Sequence, residues 1–404
     1  MPAPVTRLDH LVVVADSLDS GERLVRESLG VSPAPGGKHA AMGTHNALVG
    51  LGDCYLEVIS CDPSAVAPTH ARWFGLDSLD PTASEIAKRG GSADPTASEI
   101  AKRGGSADPT AIGMARLSSW VLRSPDLDAS LADAGAELGR PLSVAREGLS
   151  WRISVPESGI PPLDGLAPAV LQWDGAPPVL PDSGIRLVSL TLLSPRASAL
   201  RELLGALRLA APVAVLESDA PSLLAAFDTP IGPRFLGSSD PTAIQIAKRG
   251  GSADPTAIDI TVERRIAADL FNGTWSLLDR TDRDDAEDDA MIRAARASLW
   301  HWRRVGAPTQ WAIGEWQCSR VHAVLGEGTP ALEHARRCLD IAESERVDDF
   351  IPASAHEAMA RAFAIQGDMD AARKHRNLSY RIAVDLEEED RAVIEHDLGT
   401  LPIP

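Results

Sequence analysis

Apolar residues in the first part of the chain fall into short runs bounded by turn residues, and in the last part they recur at helical spacing. From Arg7 the run Leu8 to Ala15 predicts a strand, and Asp16-Ser17 supplies a helix start for a segment reaching about Leu29. Gly36-Gly37 marks a glycine-rich crossing, and strand-like runs follow around Asn46 to Leu51 and Cys54 to Ser60. The order is that of a βαβββ module.

The same order returns further on. Arg116-Leu117-Ser118-Ser119-Trp120-Val121-Leu122, followed by Pro125-Asp126-Leu127-Asp128, can be laid at constant offset on Arg7 to Val13 and Asp16 to Asp19. Ser119 then falls on His10. Val170-Leu171-Gln172-Trp173-Asp174 corresponds to Tyr55-Leu56-Glu57-Val58-Ile59, which puts Gln172 on Glu57. A third run, Arg186 to Leu190 with a helical stretch from Arg196 to Leu209, begins the pattern again, so internal duplication is the best account.

Between these stretches lies a 14-residue unit, Asp-Pro-Thr-Ala-x-x-Ile-Ala-Lys-Arg-Gly-Gly-Ser-Ala, starting at Asp80 and Asp94, truncated at Asp108, and repeated from Asp240 to just past Asp254. Asp as N-cap, Pro in the first turn and Gly-Gly as a stop predict two helical turns at most. With one large apolar residue in most copies, such units cannot form a solenoid core. They read as insertions in exposed loops, spanning 80–111 and about 240–255.

From Val262 onward Ala, Leu, Arg and Glu dominate, and helices are expected at about 262–279, 286–305, 309–326, 329–345, 353–366, 369–386 and 387–397. Ala323-Val324-Leu325-Gly326 with Ala331 and Ala342 matches Ala364-Ile365-Gln366-Gly367 with Ala372 and Ala383 at a spacing of about 41 residues. This helix-hairpin array resembles tetratricopeptide repeats, especially in Gly367-Asp368-Met369-Asp370-Ala371-Ala372, which implies a groove for a protein or peptide partner. Trp300, Trp302, Trp311 and Trp316 sit at spacings that keep each pair off a common helix face, so separate core contacts are expected rather than a ligand cage.

Five segments carry a second resemblance: Leu8-Asp9-His10-Leu11-Val12-Val13, Gly43-Thr44-His45-Asn46-Ala47-Leu48, Tyr55-Leu56-Glu57-Val58, Arg72-Trp73-Phe74-Gly75-Leu76 and Leu171-Gln172-Trp173-Asp174-Gly175. In them the chain resembles glyoxalase-like domains of the vicinal-oxygen-chelate (VOC) superfamily. The resemblance implies paired βαβββ modules whose curved sheets enclose a cavity, often with a divalent metal. The expected fold class is therefore α+β: a VOC-like domain over 5–238 carrying the insertion 80–111, a repeat linker over 239–257, and an all-α, tetratricopeptide-like domain over 258–400.

The resemblance makes His10 and Glu57 one half of a metal site, with Gln172 as a weak third ligand and His39 or His45 able to complete the set. Imidazole and carboxylate suit Zn, Ni, Mn or Fe, and an open site would polarise a carbonyl or stabilise an enediolate, as a lyase, isomerase or dioxygenase does. Ser119 occupies the place of the expected second ligand. The plainer reading of His10 and Glu57 is a strand histidine satisfied by a neighbouring carboxylate. Thr44, His45 and Asn46 bring donors and acceptors together beside Gly43 and, with Trp120, are expected to contact substrate. Of Trp73, Phe74, Trp120, Trp151 and Trp173, most are expected in the core, with one or two walling the cavity. No catalytic residue can be assigned, and no nucleotide cofactor is implied. The alternative to an enzyme is a metal-free VOC-type protein that binds or sequesters a drug or metabolite.

Charge and composition narrow the partners. A net charge of −18 argues against a phosphate-backbone partner, since such binding is built on Lys and Arg. No run approaches the roughly 20 apolar residues of a membrane span, and the start lacks a signal-peptide layout, so a cytoplasmic protein is expected. Four cysteines without CxxC pairing do not make a disulfide framework.

Overall fold

The computed structural model describes residues 4–79, 114–146, 148–238, 246–249, 252–347 and 350–403. They group into two units, one holding residues up to 209 together with 217–257, the other holding 210–216 and 258–404.

In the first unit, strands β1 (Thr6–Ala15), β2 (Ala34–His39), β3 (Thr44–Gly50) and β4 (Tyr55–Cys61) form one module with helix α1 (Leu18–Leu29). Strands β5 (Ala115–Arg123), β6 (Arg140–Arg146), β7 (Leu149–Val155) and β8 (Ala169–Trp173), with a helix at Leu127–Ala134, form the second. The strands join in the order β2-β3-β4-β1-β5-β8-β7-β6, so the two modules meet back to back along β1 and β5. A third, partial unit of the pattern pairs Arg186–Ser194 with Ser222–Asp228, and that strand with Arg234–Gly237.

Local chemistry accounts for these elements. In β1, Leu11 to Val14 are fully buried, because a central strand covered on both faces reads as a continuous apolar run. Ser17 caps α1 with its side chain on the backbone N–H of Ser20, and Gly30 closes it in the left-handed region at φ 78°. The glycine-rich crossing proves to be strand β2, with a register break between Pro35 and Lys38. Gly36 is required there: a Cβ would lie 2.1 Å from Asn46 Oδ1, and this close approach seats the Asn46 amide.

The repeat units depart from expectation. In the second array the described residues form two paired strands, Ile246–Arg249 and Ser252–Ile258, rather than a short helix. A backbone ladder uses only N–H and C=O groups, so it needs no side chains tailored to each copy, whereas a helix must bury an apolar stripe that these units lack. The first array lies outside the described residues.

The second unit is helical: Ile260–Leu278, Asp285–Val305, Pro308–Val324, Gly328–Ser344, Ile351–Gln366, Met369–Ala383 and Glu388–Gly399. The expected helices and the observed ones differ by only a few residues at their ends. Consecutive helices pack on one another through small residues such as Ala312, Ala331, Ala335, Ala355, Ala358 and Ala362. Among the tryptophans, Trp311 donates its indole N–H to the Trp302 carbonyl and Trp316 lies against Trp275. Among the described residues no helix is long and apolar enough to cross a membrane.

Two glycine substitutions test this packing. At Gly21, on the buried face of α1, a Cβ would sit 2.3 Å from Val58 Cγ1 and 3.0 Å from the Ala15 Cβ. The overpacking cost of about 1–3 kcal/mol exceeds the helix-propensity gain of up to about 1 kcal/mol, so Gly21→Ala is expected to lower stability on urea denaturation. Gly205, exposed in the helix Ala197–Ala206 with nothing within 4 Å of a Cβ, should give the opposite sign on substitution by Ala. Equal effects at the two positions would contradict the packing of α1 on the sheet.

Candidate functional site

The concave face of the large sheet is set by strand register. Val12 pairs with Glu57 and His10 with Tyr55 across the parallel β1–β4 ladder, which puts all four on one face. In β3, Leu48 pairs with Glu57 and Asn46 with Ile59, so Thr44 and Asn46 share that face. Trp151 pairs with Trp173, and Val144 with Trp151, which adds both indoles and Arg146. The sheet curls until β2 and β6, its two edges, approach each other. Arg146 thereby donates through Nη1 to Asn46 Oδ1 at 2.7 Å.

The cavity so formed is lined by His10, His39, Tyr55, Glu57, Trp73, Phe74, Arg146, Trp151, Ile153, Leu171 and Trp173, and is tight, with a free volume of about 20 Å³. One wall is the turn at Trp73–Ser78, tied down by Arg72, which donates to both Asp77 carboxylate oxygens and to the Met42 carbonyl. In this turn Phe74 adopts φ 58°, a conformation that costs a bulky residue roughly 1–3 kcal/mol and that occurs mainly where surrounding structure imposes it. A larger cleft of about 220 Å³ lies around Ser118, Asp164, Ser222 and Ser238. Asp164 there is paired with Arg196, and Ser222 with Ser238, while Arg116 also lines it; the buried His10 and Glu57 line the smaller cavity.

Those groups form a chain of alternating charge. Asp9 Oδ1 bonds His10 Nδ1 at 2.7 Å, and His10 Nε2 lies 3.5 Å from Glu57 Oε2, an ion-pair separation rather than a short hydrogen bond. Asp9 Oδ2 accepts from the Trp173 indole at 2.9 Å, and Glu57 Oε1 accepts from Asn46 Nδ2 at 2.5 Å. Strand alternation alone would send Asp9 and His10 to opposite faces. A bulge at Asp9, skipped between the Leu8–Leu122 and His10–Val121 pairs, brings them together.

Burial opposes the charge on His10, yet the hydrogen bonds and charges of Asp9 and Glu57 outweigh it and hold the imidazole at about 9. Burial likewise opposes ionisation of Glu57, and His10, His39 and Asn46 outweigh it and hold the carboxyl at about 2. Asp9 is lowered against its own burial by His10 and Trp173. His39, bonded through Nδ1 to Thr44 Oγ1 at 3.0 Å, is pushed down to about 4 by burial and is neutral at pH 7.

The expected site residues are distributed unevenly. His10, Glu57, Asn46 and Thr44 come together, and His39 joins them. His45 pairs with Ser60 on the opposite face of β3. Trp120 also faces away and gives its indole N–H to the Leu166 carbonyl at 2.8 Å. Gln172 is not near His10 and Glu57. It pairs with Arg152 on the outer face, where its side chain takes bonds from the Leu127 backbone N–H and Arg152 and donates to the Pro125 carbonyl. Of the five aromatics, Trp73, Phe74, Trp120 and Trp151 are buried in the core, as expected, and all but Trp120 also border the cavity. Arg146, Tyr55 and Asp9 were not foreseen; for Asp9 the signal was its place beside His10, masked by alternation.

Register also fixes which residues of the second module are the counterparts of His10 and Glu57. His10 pairs with Val121 and Val12 with Ser119, so Ser119 is the dyad counterpart of His10. Val12 lies beside Glu57 and Val121 beside Ala169, so the counterpart of Glu57 is Ala169, not Gln172. The second half-site thus offers one hydroxyl, whose buried oxygen has no hydrogen-bond partner among the described residues, and one methyl group. Among the described residues no group of three or more His, Cys, Asp or Glu side chains is placed to hold a metal ion. His10 and Glu57 are two strong donors and the second half-site adds none of that strength, so this donor set falls short of the three protein ligands a divalent site ordinarily uses.

The pairing carries a pH signature. His10 is raised from 6.5 to about 9, so its contribution to stability is complete below pH 6.5 and is lost as pH rises through about 9. Glu57 is lowered from 4.5 to about 2, so its contribution is complete above pH 4.5 and is lost as pH falls through about 2. Urea denaturation should show stability declining from about pH 6.5 to 9, and His10→Gln should abolish that alkaline decline. A wild-type profile that stays flat across this range would disprove the charged pairing.

Residues 8–208 match the family model of the Glyoxalase-like domain. No curated protein matches the chain. Similar solved structures include a hypothetical protein from Staphylococcus aureus, with 14% identity over 54% of this chain and 87% of that one at a TM-score of 0.33. Methylmalonyl-CoA epimerase from Mycobacterium tuberculosis shares 16% identity over 42% of this chain and 88% of its own, at a TM-score of 0.23. A variant of the Streptomyces coelicolor methylmalonyl-CoA epimerase, in complex with 2-nitronate-propionyl-CoA, shares 15% identity over 42% and 98%, at a TM-score of 0.24. Likenesses at these scores carry no argument about chemistry. The family match and the paired βαβββ modules together make residues 8–208 a glyoxalase-like domain of the VOC type.

Proposed function

We propose that the glyoxalase-like domain is a metal-free binding domain for a small oxygenated molecule. The observation that carries this reading is the second half-site, where Ser119 and Ala169 stand at the dyad positions of His10 and Glu57. The ionisation states support binding over proton transfer. A general acid or base works best with a pKa near the operating pH, whereas His10 at about 9 and Glu57 at about 2 are held on either side of neutrality. The aromatic walls supply apolar area and the polar groups fix orientation, which is how small-molecule sites are built. To the helical unit we assign recruitment of a protein or peptide partner, a role supported by its successive packed helix hairpins.

Metal analysis tests the reading. Protein expressed with added zinc, nickel, manganese or iron is expected to retain less than about a tenth of an equivalent after desalting, with no change in His10→Ala. One equivalent of metal that disappears in His10→Ala would sink the proposal and favour a metal-assisted enzyme.

A further inference from the structure

The cleft of about 220 Å³ at one end of β5 is a separate space from the His10 cavity, and Phe74 borders both. Arg116, Leu117 and Ser118 all line it, although alternation along a regular strand sends successive side chains to opposite faces. A bulge allows this, because Ser118 is skipped between the Val12–Ser119 and Val13–Leu117 pairs of the β1–β5 ladder. Two polar side chains are thereby turned into one space. Neither the Arg116 guanidinium nor the Ser118 hydroxyl has a hydrogen-bond or ion-pair partner among the described residues. The carboxylate of the cleft, Asp164, is already held by Arg196 through two contacts of 2.9 and 3.0 Å. The lining therefore keeps one uncommitted positive charge, in a chain whose net charge is −18.

The walls are constrained. Phe74 (φ 58°), Leu163 (φ 53°) and Asp164 (φ 61°) are three of the five non-glycine residues in the left-handed region among the described residues, and they lie in the two turns that border this cleft. The Gly75 backbone N–H donates to the Gly159 carbonyl at 2.9 Å and joins the first turn to the chain leading into the second. Such outliers persist only where the surroundings impose them, and they concentrate at ligand sites. A wall fixed in advance also loses little freedom when a ligand arrives. The rest of the lining is aliphatic: Leu117, Leu166 and Leu223 are buried, and Ile160 at the rim is 52% exposed. A volume of about 220 Å³ is below the roughly 300–1,000 Å³ of sites for drug-sized molecules, so the occupant is small. One guanidinium matches one negative charge, whereas a phosphate monoester carries about −1.5 to −2 at pH 7 and would leave charge unmet.

We propose that this cleft binds a small aliphatic carboxylate, its carboxylate on the Arg116 guanidinium and the Ser118 hydroxyl and its apolar body against Leu117, Leu166 and Leu223. A carboxylate presents acceptors only, which suits the two spare donors, and its bond to a guanidinium is charge-assisted. The site lies outside the His10 cavity and does not rest on the metal-free reading of that cavity.

Calorimetric titration of the full chain with cyclohexanecarboxylate, cyclohexanecarboxamide and acetate tests this. Cyclohexanecarboxylate, with about nine heavy atoms, is expected to bind in the millimolar range or tighter. The amide has the same shape without the charge and should bind about tenfold more weakly. Acetate lacks the apolar body and should show no measurable binding. Arg116→Gln should cost about tenfold for the carboxylate and leave the amide unchanged. The comparison among ligands on the wild-type chain stands even if the variant fails to fold. Absence of carboxylate binding, equal binding of carboxylate and amide, or acetate binding as tightly as the larger acid would overturn the assignment. An affinity that Arg116→Gln leaves unchanged would overturn it too, by placing the carboxylate elsewhere on the chain. None of these results bears on the metal analysis, so the two readings fail separately.

Discussion

The antiparallel ladder between β1 and β5 is the constraint on which the glyoxalase-like unit depends. It joins two modules that are otherwise separate sheets, and its register fixes which residues of one are counterparts of which in the other. Because His10 pairs with Val121 and Val12 with Ser119, the dyad runs between these pairs and the cavity opens on the face they share. A slip of one residue would turn His10 outward together with Val12 and Val14. The curl that closes the cavity starts from this same seam and ends where Arg146 meets Asn46.

Placing Asp9, His10 and Glu57 beside so apolar a seam is costly unless every charge has a partner. The structure meets this by alternating sign and by using each carboxylate oxygen: Asp9 spans His10 and Trp173, and Glu57 spans His10 and Asn46. A divalent ion bound here would have to displace the His10 proton and its ion pairs with Asp9 and Glu57.

The helical unit applies the same rule to stability alone. Glu263, Glu315 and Glu357 lie on alternate helices and are nearly fully buried. Glu263 is met by His301 and Arg304, Glu315 by His334, Arg303 and Arg337, and Glu357 by Arg361 of its own helix and Arg320 of the helix Pro308–Val324. Partners come mostly from neighbouring helices, so each glutamate joins elements that small alanine contacts bring close. An array with so many alanines buries little side-chain volume per contact, and removing one partner of these buried pairs would leave a charge unmet in the core.

Periodicity and capping residues in the sequence determined the helices from Ile260 to Gly399, the strands β1, β3, β4, β5 and β8, and the duplication that placed Ser119 opposite His10. These signals are local or depend only on matching one stretch with another. The site itself was less legible. Gln172 was matched to Glu57 by laying out letters, but β5 and β8 pair so that Ala169 takes that place and Gln172 faces outward, an outcome fixed by hydrogen-bond register between strands distant in sequence. Trp120 and His45 were assigned to the cavity by type, and the pleat sends them to the other face. Arg146 enters the site only because the sheet curls and brings β6 to β2, and Asp9 joins His10 only through a bulge. Sequence determines which residues can pair or cap within a segment; the faces they present and the company they keep across the sheet are decided by register and curvature, which exist only once the strands have come together.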